Sequence, residues 1–240
     1  MSLRIRVIQK LIWLNEKLIF YPRLKRYYKS KKLPENPVIL DVGANKGQSI
    51  DFFLSLYPAA KIYAFEPNIT LYSELKRKYS NLDEQVLLFN YGISDVDGVK
   101  VFSETVMSET STFEDINPDS KYLETKARVL GIPKEKMISN SYEMRVVALR
   151  NFLSNEKLTD IDIIKIDVEG HEEKCIRGLF PLNNGLRVRI IQLESHNDDM
   201  YRSNSLSPDK LITDFNYHLA RVVNHGFGDF QELLFESKTN

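Results

Sequence analysis

The chain alternates short, almost continuous apolar runs with segments whose apolar residues recur at helical spacing. The runs predict buried β-strands, and the segments between them predict helices. The predicted strands are VILDV (38–42), KIYAF (61–65), QVLLF (85–89), IDIIKI (161–166) and RVRIIQL (187–193). The predicted helices are 48–56, 70–79, 147–158 and 172–179. This order predicts an α/β fold with a doubly wound, mostly parallel sheet, whose ligands bind beyond the carboxyl ends of the strands.

Three further segments are less regular. DVDG (95–98) predicts a hairpin turn before the run VKVF. Residues 104–141 are weakly periodic, so we expect an insertion or lid there. Towards the end of the chain, a helix is expected to start near Pro208, and GDFQELLFES (228–237) predicts a final strand.

The N-terminal segment is amphipathic and basic. Residues 3–20 carry apolar side chains at helical spacing, but charged residues interrupt them too often for a membrane span or a signal peptide. Residues 23–32 are rich in Lys and Arg. Two interpretations remain open: a helix that packs on the domain or a sister subunit, followed by a solvated basic connector, or a helix that lies on an anionic membrane surface. We therefore divide the chain into 1–36, helix and linker, and 37–240, one domain.

Composition and charge narrow the choice of function. The 240 residues carry 33 basic and 33 acidic side chains, but ten basic residues and one acidic residue fall within residues 1–32. The remaining body is mildly acidic, which argues against nucleic acid as a partner. The single cysteine, Cys175, permits no intrachain disulfide and fits a reducing compartment. We expect a cytoplasmic protein, peripheral at the inner membrane face if the second interpretation of the helix holds.

The first predicted strand leads into DVGANKGQS (41–49). Gly43 and Gly47 permit a tight turn into the next helix, whose free N–H groups can bind an anion. The spacing is neither the GxGxxG of a pyrophosphate site nor a P-loop, so a single anionic group such as an amino-acid carboxylate fits better. Asp41 can then face the ammonium group of the same ligand. An ordinary strand-to-helix turn is the alternative.

The second predicted strand ends at Glu66, 19 residues after Gly47. An acidic side chain at about this separation can accept both hydroxyls of a ribose. A solvated glutamate at the strand end is the alternative. Together the two turns describe a site for an adenosyl ligand without a diphosphate, and S-adenosylmethionine fits that description.

Acidic residues follow the fourth and fifth predicted strands. Asp167 and Glu169 come after 161–166, and Glu194 and His196 come after 187–193. If these strands are neighbours, the four side chains share one edge, as either a proton-transfer site or an oxygen-rich metal site. Glu169 and Glu172 could instead cap the following helix. We expect His171 to be a capping or surface residue, and His218 and His225 to be structural or exposed.

These segments resemble the FkbM-type S-adenosylmethionine-dependent methyltransferases. The resemblance rests on LDVGANKGQS (40–49), FEP (65–67), the run 90–95 and IDIIKIDVEGHE (161–172), and it covers about residues 37–196. It implies a Rossmann-like class I methyltransferase fold, here with an N-terminal amphipathic helix. It also implies O-methylation of a hydroxyl on a saccharide or related metabolite, by in-line displacement with help from a base or a metal.

The resemblance also implies roles for particular residues. The cofactor-binding candidates are Asp41, Gly43, Ala44, Asn45, Gly47, Gln48, Ser49, Glu66, Pro67, Asn90, Gly92, Ile93 and Asp167, with the 90–93 loop beside the adenine. The catalytic candidates are Asp167, His196, Glu194, Glu169 and Lys165. By the resemblance, Asp167, Glu194 and His196 face the acceptor; our own hypothesis is that His196 or Asp167 is the base and that Lys165 or Glu169 sets the local electrostatics. A divalent metal would use Asp167, Glu194 and His196.

Two other classes of protein stay open. One is a non-catalytic adenosyl-binding or scaffold protein. The other is a nicotinamide-dependent sugar oxidoreductase, but its Tyr-x-x-x-Lys spacing is met at Tyr72 and Lys76, on a helix remote from the acidic strand ends. The expected partner is a small-molecule or glycan acceptor, free or lipid-linked, and a homo-oligomer is also open.

Overall fold

A computed structural model describes residues 7, 10–11, 14–182, 185–195, 199–201, 208–225 and 231–238. Its strands are β1 (Val38–Val42), β2 (Lys61–Phe65), β3 (Val86–Phe89), β4 (Gly92–Ser94), β5 (Gly98–Thr105), β6 (Ile138–Ala148), β7 (Asp160–Ile166), β8 (Arg187–Ser195), β9 (Tyr217–Asn224) and β10 (Gln231–Ser237). Its α-helices are α1 (Tyr21–Lys29), α2 (Gln48–Leu56), α3 (Ile69–Lys78), α4 (Lys121–Leu130), α5 (Leu149–Asn155), α6 (Glu172–Leu179) and α7 (Pro208–Asp214). A π-helical turn, Glu16–Phe20, leads directly into α1.

Within the described residues, seven strands form the central sheet in the order β3-β2-β1-β7-β8-β10-β9. The first five of these are parallel, and β10 runs antiparallel to both β8 and β9. Helices cover both faces, which is why the parallel strands are apolar along their whole length rather than alternating. The predicted doubly wound, mostly parallel α/β sheet is confirmed, and so is the pairing of β7 with β8.

The register of the sheet brings polar side chains to one level. Asp41 on β1 lies beside Lys165 on β7, and Lys165 lies beside Gln192 on β8. Further along β8, Glu194 lies opposite Glu232 on β10. Polar side chains near the carboxyl ends of β1, β7 and β8 therefore lie side by side across the centre of the sheet.

Several local predictions were wrong. The turn at 95–98 does not close a hairpin, because β4 and β5 both pair with β6 and not with each other. The helix expected over 147–158 begins at Leu149, since the residues before it continue β6. Strand β9 was not anticipated, because most of its side chains are exposed and its apolar pattern is weak.

The basic segment after the N-terminal residues is not a solvated connector. Most of it is helix α1, whose Leu24, Tyr27 and Tyr28 are buried against the domain. The Tyr28 hydroxyl donates to Gln192 Oε1 at 2.5 Å, which ties the helix to the centre of the sheet. Among the residues described, no helix is both long and apolar enough to cross a bilayer.

Candidate active site

One cavity of about 640 Å³ opens at the carboxyl ends of β1, β2, β7 and β8. Its floor includes Gly43, Glu66, Asp167 and Glu194, which lie at the ends of these four strands. The N-terminal helical segment and the 104–141 segment supply other walls, through residues such as Phe20, Tyr21, Met107 and Phe113. The two turns and the acidic strand ends thus face a common space.

The turn after β1 contains two glycines in the left-handed region, Gly43 (φ +89°) and Gly47 (φ +79°). A Cβ on Gly43 would lie 1.9 Å from the backbone oxygen of Asp167, and one on Gly47 would lie 2.5 Å from the Tyr79 hydroxyl. Both glycines are therefore needed for packing within the protein, as well as for the turn. Helix α2 starts at this turn without a side-chain cap, and its first residues, Gln48 and Ser49, line the cavity. This leaves first-turn N–H groups without helical partners near the cavity, where they could bind an anion.

Asp41 is fully buried beneath that turn. Its Oδ2 accepts a hydrogen bond from Ser49 Oγ at 2.5 Å, and its Oδ1 lies 3.7 Å from the Lys165 ammonium. Oδ1 accepts no hydrogen bond from the described part of the chain. Burial raises the pKa of Asp41 even though Lys165 and Ser49 oppose the shift. Asp41 and Gly47 lie behind the lining residues rather than among them.

Glu66 lines the cavity and holds two loops together. Its Oε2 accepts from the backbone N–H of Asn45 at 2.7 Å, and its Oε1 accepts from the N–H of Asn68 at 2.8 Å. Burial raises the pKa of Glu66 to about 7. Because each carboxylate oxygen has a second lone pair, Glu66 can still accept a hydroxyl from a ligand.

Residues 90–93, the loop expected beside the adenine, include residues that line the cavity and one that does not. Gly92 and Ile93 line the cavity, as do Ala44, Asn45 and Pro67. The Asn90 side chain instead donates to the backbone oxygens of Glu66 and Pro67, at 2.9 and 3.0 Å, and is absent from the lining. Asn90 therefore positions the loop that carries Glu66.

The acidic strand ends surround one lysine. The Lys165 ammonium lies 2.9 Å from Asp167 Oδ2. Burial opposes its charge, but Asp167 and Asp41 outweigh that penalty and raise the pKa of Lys165 above its usual range. Lys165 is thus a fixed positive charge at neutral pH and cannot serve as a base.

The structure brings Asp167, Glu169 and Glu194 together, with one carboxylate oxygen of each within 4.8 Å of the others. We call these three residues the acidic rim. Glu169 adopts a positive φ of 54° and accepts a hydrogen bond from the Tyr201 hydroxyl at 2.7 Å. Glu172 does not cap α6 with its side chain: its Oε1 accepts from the N–H groups of Val168 and Gly170, in the turn that precedes the helix. His196 lies outside the described residues.

Several residues that line the cavity were not anticipated from the sequence, among them Glu232 and His225. The sequence patterns indicated no role for Glu232, and a structural or exposed position for His225. Period-two alternation along β10 could have placed Glu232 on a buried face. His171 stands at the N-cap position of α6, one of its two expected places, but its side chain does not cap the helix and is not at the surface. It is buried, with Nδ1 2.5 Å from Glu114 Oε1 and Nε2 3.0 Å from Ser94 Oγ.

Comparison with known families decides the affiliation. The family described as Methyltransferase FkbM domain matches residues 41–228, well over half of the chain. The chain belongs to the FkbM methyltransferase family. This match confirms the resemblance found in the sequence motifs.

Individual relatives of this FkbM family member are more distant. The chain is 26% identical over 166 residues to the 2-O-methyltransferase NoeI of Sinorhizobium fredii, covering 69% of this chain and 66% of NoeI. It is 22% identical over 180 residues to the hexuronic acid methyltransferase AglP of Haloferax volcanii, covering 75% and 65%. The match thus spans just under two thirds of the length of NoeI and of AglP. A third relative, the antimetabolite synthetase AmbE of Pseudomonas aeruginosa, is matched over 8% of its length.

Solved structures agree on the fold. The magnesium protoporphyrin IX methyltransferase of Synechocystis, solved with bound S-adenosylmethionine, superposes with a TM-score of 0.53 at 12% identity, over 96% of this chain and 84% of that one. At this identity the likeness establishes the fold alone, and it confirms the expected class I methyltransferase architecture.

Proposed function

We propose that this FkbM family member transfers the methyl group of S-adenosylmethionine to a hydroxyl of a saccharide or related metabolite. The supporting observation is the cavity that joins the turns after β1 and β2 to the acidic rim. The family affiliation favours methyl transfer, and a relative named for methylation of a hexuronic acid favours a saccharide acceptor.

The cofactor would lie across the first two turns. Its carboxylate would meet the uncapped start of α2, and its ammonium group would point towards the buried carboxylate of Asp41. Glu66 would accept the ribose hydroxyls, and the adenine would lie beside Gly92 and Ile93. The sulfonium would then face the acidic rim, where negative charge stabilises it.

The chain's own residues would orient the acceptor and take up its proton. The acceptor oxygen attacks the methyl carbon, the carbon–sulfur bond breaks, and the hydroxyl proton passes to a base. Asp167 and His196 are the proposed bases, and the ammonium of Lys165, 2.9 Å from Asp167 Oδ2, would hold that carboxylate in place. A wall of Phe20, Met107 and Phe113 would limit water beside the reacting atoms.

Calorimetry tests the cofactor assignment. We expect S-adenosylhomocysteine to bind and NAD⁺ not to bind. Glu66→Ala should weaken binding by at least about tenfold, since it removes about 1.4 kcal/mol or more of hydrogen bonding to the ribose. Glu74→Ala, at an exposed glutamate on α3, is the matched control and should bind normally. Tight NAD⁺ binding without S-adenosylhomocysteine binding would point to an oxidoreductase instead.

Turnover tests the acceptor and the base. Transfer of a tritiated methyl group to a panel of saccharides should label at least one of them, and Asp167→Asn or His196→Ala should abolish the label. Normal turnover by both variants would reject both bases. Cofactor binding without labelling of any acceptor on a broad panel would favour the non-catalytic alternative.

The N-terminal segment suggests where the acceptor is met. We propose that its outer side contacts an anionic membrane surface, through the exposed side chains of Val7, Leu11, Leu14 and Leu18. These positions recur every three or four residues, as on one face of a helix. Exposed basic residues on α1, namely Lys25, Arg26 and Lys29, supply complementary charge. Because the same segment walls the cavity, membrane contact would favour a lipid-linked acceptor.

Sedimentation with vesicles tests this contact. The protein should pellet with phosphatidylglycerol vesicles and not with phosphatidylcholine vesicles, and Leu11→Glu with Leu18→Glu should abolish pelleting. Val101→Glu, at an exposed valine on β5, is the control and should pellet normally. Equal pelleting of the double variant and the unaltered protein would refute the proposal.

A further inference from the structure

Strands β8 and β10 place two carboxylates opposite each other inside the fold. Glu194 and Glu232 are direct partners in the antiparallel register, and they are 9% and 1% exposed. Like charges directly opposite on a sheet are destabilising, and burial increases the cost of each charge. A positive charge near Glu194 and Glu232 would therefore stabilise the pair.

A histidine completes the cluster from the end of β9. The His225 ring is stacked on Phe20, with ring centroids 4.0 Å apart and an interplanar angle of 24°. One ligand atom from each of Glu194, His225 and Glu232 lies within 4.8 Å of the other two. Three chemically suitable donors thus converge, from β8, from β10 and from the residue that follows β9.

The separation of two of these donors suits a metal better than a hydrogen bond. His225 Nε2 lies 3.6 Å from Glu232 Oε1, longer than a normal hydrogen bond. Two ligands about 2.1 Å from a tetrahedral metal lie about 3.4 Å apart. We propose that Glu194, His225 and Glu232 bind a divalent metal ion.

A second observation points to a missing ligand. Glu232 Oε2 accepts no hydrogen bond from the described residues, although the side chain is almost fully buried and lines the cavity. The Lys165 ammonium is near enough to interact electrostatically with Glu232, but its ion pairs are with Asp167 and Asp41, so one lysine faces several carboxylates. A dication between the two glutamates would satisfy this oxygen and relieve the repulsion.

The donor set narrows the kind of ion. Two carboxylates with one imidazole suit a borderline ion such as Mn²⁺ or Zn²⁺, and fit Ca²⁺ less well. This site differs from the metal ligands that the sequence suggested, since it uses His225 and Glu232 in place of His196 and Asp167.

The site also adjoins the proposed reaction. Glu194 belongs to the acidic rim as well, so a bound ion would lie at the edge of the space in which an acceptor hydroxyl would sit. A dication there would lower the pKa of a coordinated hydroxyl. This consequence rests on the proposed methyl transfer, whereas binding of the ion does not.

Manganese binding tests the site without any cofactor or acceptor. The full chain, freed of metals with a chelator and dialysed, is titrated with MnCl₂ while electron paramagnetic resonance measures free Mn²⁺. We expect about one ion to bind per chain, and Glu232→Gln and Glu194→Gln to weaken binding by at least ~10-fold, because even outer-shell changes commonly cost that much. Zn²⁺ should displace the bound Mn²⁺.

The control variant is Glu236→Gln on the same strand, which keeps an acceptor oxygen for Tyr27 and lies outside the cluster. It should bind Mn²⁺ as the unaltered protein does. Thermal denaturation supplies a second measurement. Without metal, Glu232→Gln should melt at a higher temperature than the unaltered protein. Mn²⁺ should raise the melting temperature of the unaltered protein and of Glu236→Gln, but not that of Glu232→Gln. Absence of Mn²⁺ binding, or equal binding by Glu232→Gln, would overturn the proposal.

Discussion

Replacing Gly43 with alanine would bring a methyl carbon to 1.9 Å from the backbone oxygen of Asp167. Backbone hydrogen bonds hold both Gly43 and Asp167 in place. The N–H of Gly43 donates to the backbone oxygen of Phe65, and the N–H of Asp167 donates to that of Val42. The substitution must therefore distort the junction between β1 and β7, where the proposed cofactor and acceptor sites meet.

Two separate costs contribute to the expected loss of stability. An alanine in the left-handed region costs about 1–2 kcal/mol. Forcing an extra methyl group into packed surroundings costs about 1–3 kcal/mol. We expect Gly43→Ala to lower the free energy of unfolding by about 2–5 kcal/mol in total.

Two other glycines separate these costs. Gly185 has a φ of +86°, but a methyl group added to it would meet only open space, so Gly185→Ala should show the conformational cost alone. Gly98 has open space and no positive φ, so Gly98→Ala should change stability by less than about 1 kcal/mol. Urea denaturation followed by circular dichroism measures all three variants. If Gly43→Ala is no less stable than Gly185→Ala, the close contact with Asp167 is wrong.

Three further predictions concern buried charges. Lys165→Met should lower the free energy of unfolding by about 3–5 kcal/mol at pH 7, because it leaves Asp41 and Asp167 without their cation. The loss should be smaller at pH 5, and urea titrations at the two pH values measure it. An equal loss at both pH values would contradict this prediction. Burial lowers the pKa of His171, so the stability it contributes is complete above about pH 6.5 and declines as the pH falls through its lowered pKa. In His171→Gln, the free energy of unfolding should fall less steeply between about pH 7.5 and 5.5 than in the unaltered protein. An equal slope in the two proteins would contradict this role of His171. Since burial raises the pKa of Glu66 to about 7, its ionisation should reduce stability as pH rises from about 4.5 to 7, by up to about 3 kcal/mol, and Glu66→Gln should remove this part of the slope in the same titrations.

Local apolar patterning determined much of the fold. Strand β1, strand β2, helix α2 and helix α6 have the bounds expected from the sequence, because each is a continuous apolar or helically spaced run. Parallel strands must be buried on both faces, so their composition indicates them without reference to a partner. The placement of Gly43, Glu66, Asp167 and Glu194 at strand ends followed from the same patterns.

Long-range pairing decided what the sequence left open. Strands β6 and β9 are exposed along much of their length, so their existence depends on the neighbours that supply their hydrogen bonds. Nothing local indicated that Glu232 faces Glu194 across 38 residues of chain, because that contact depends on the antiparallel register of β10. The requirement for glycine at position 43 also depends on the tertiary structure, because the atom that leaves no room for a side chain, the backbone oxygen of Asp167, belongs to the turn after β7. The sequence by itself determined which residues stand at the ends of strands, and the tertiary structure decided which of them meet, because side chains far apart in the chain are brought together by strand register and not by local preference.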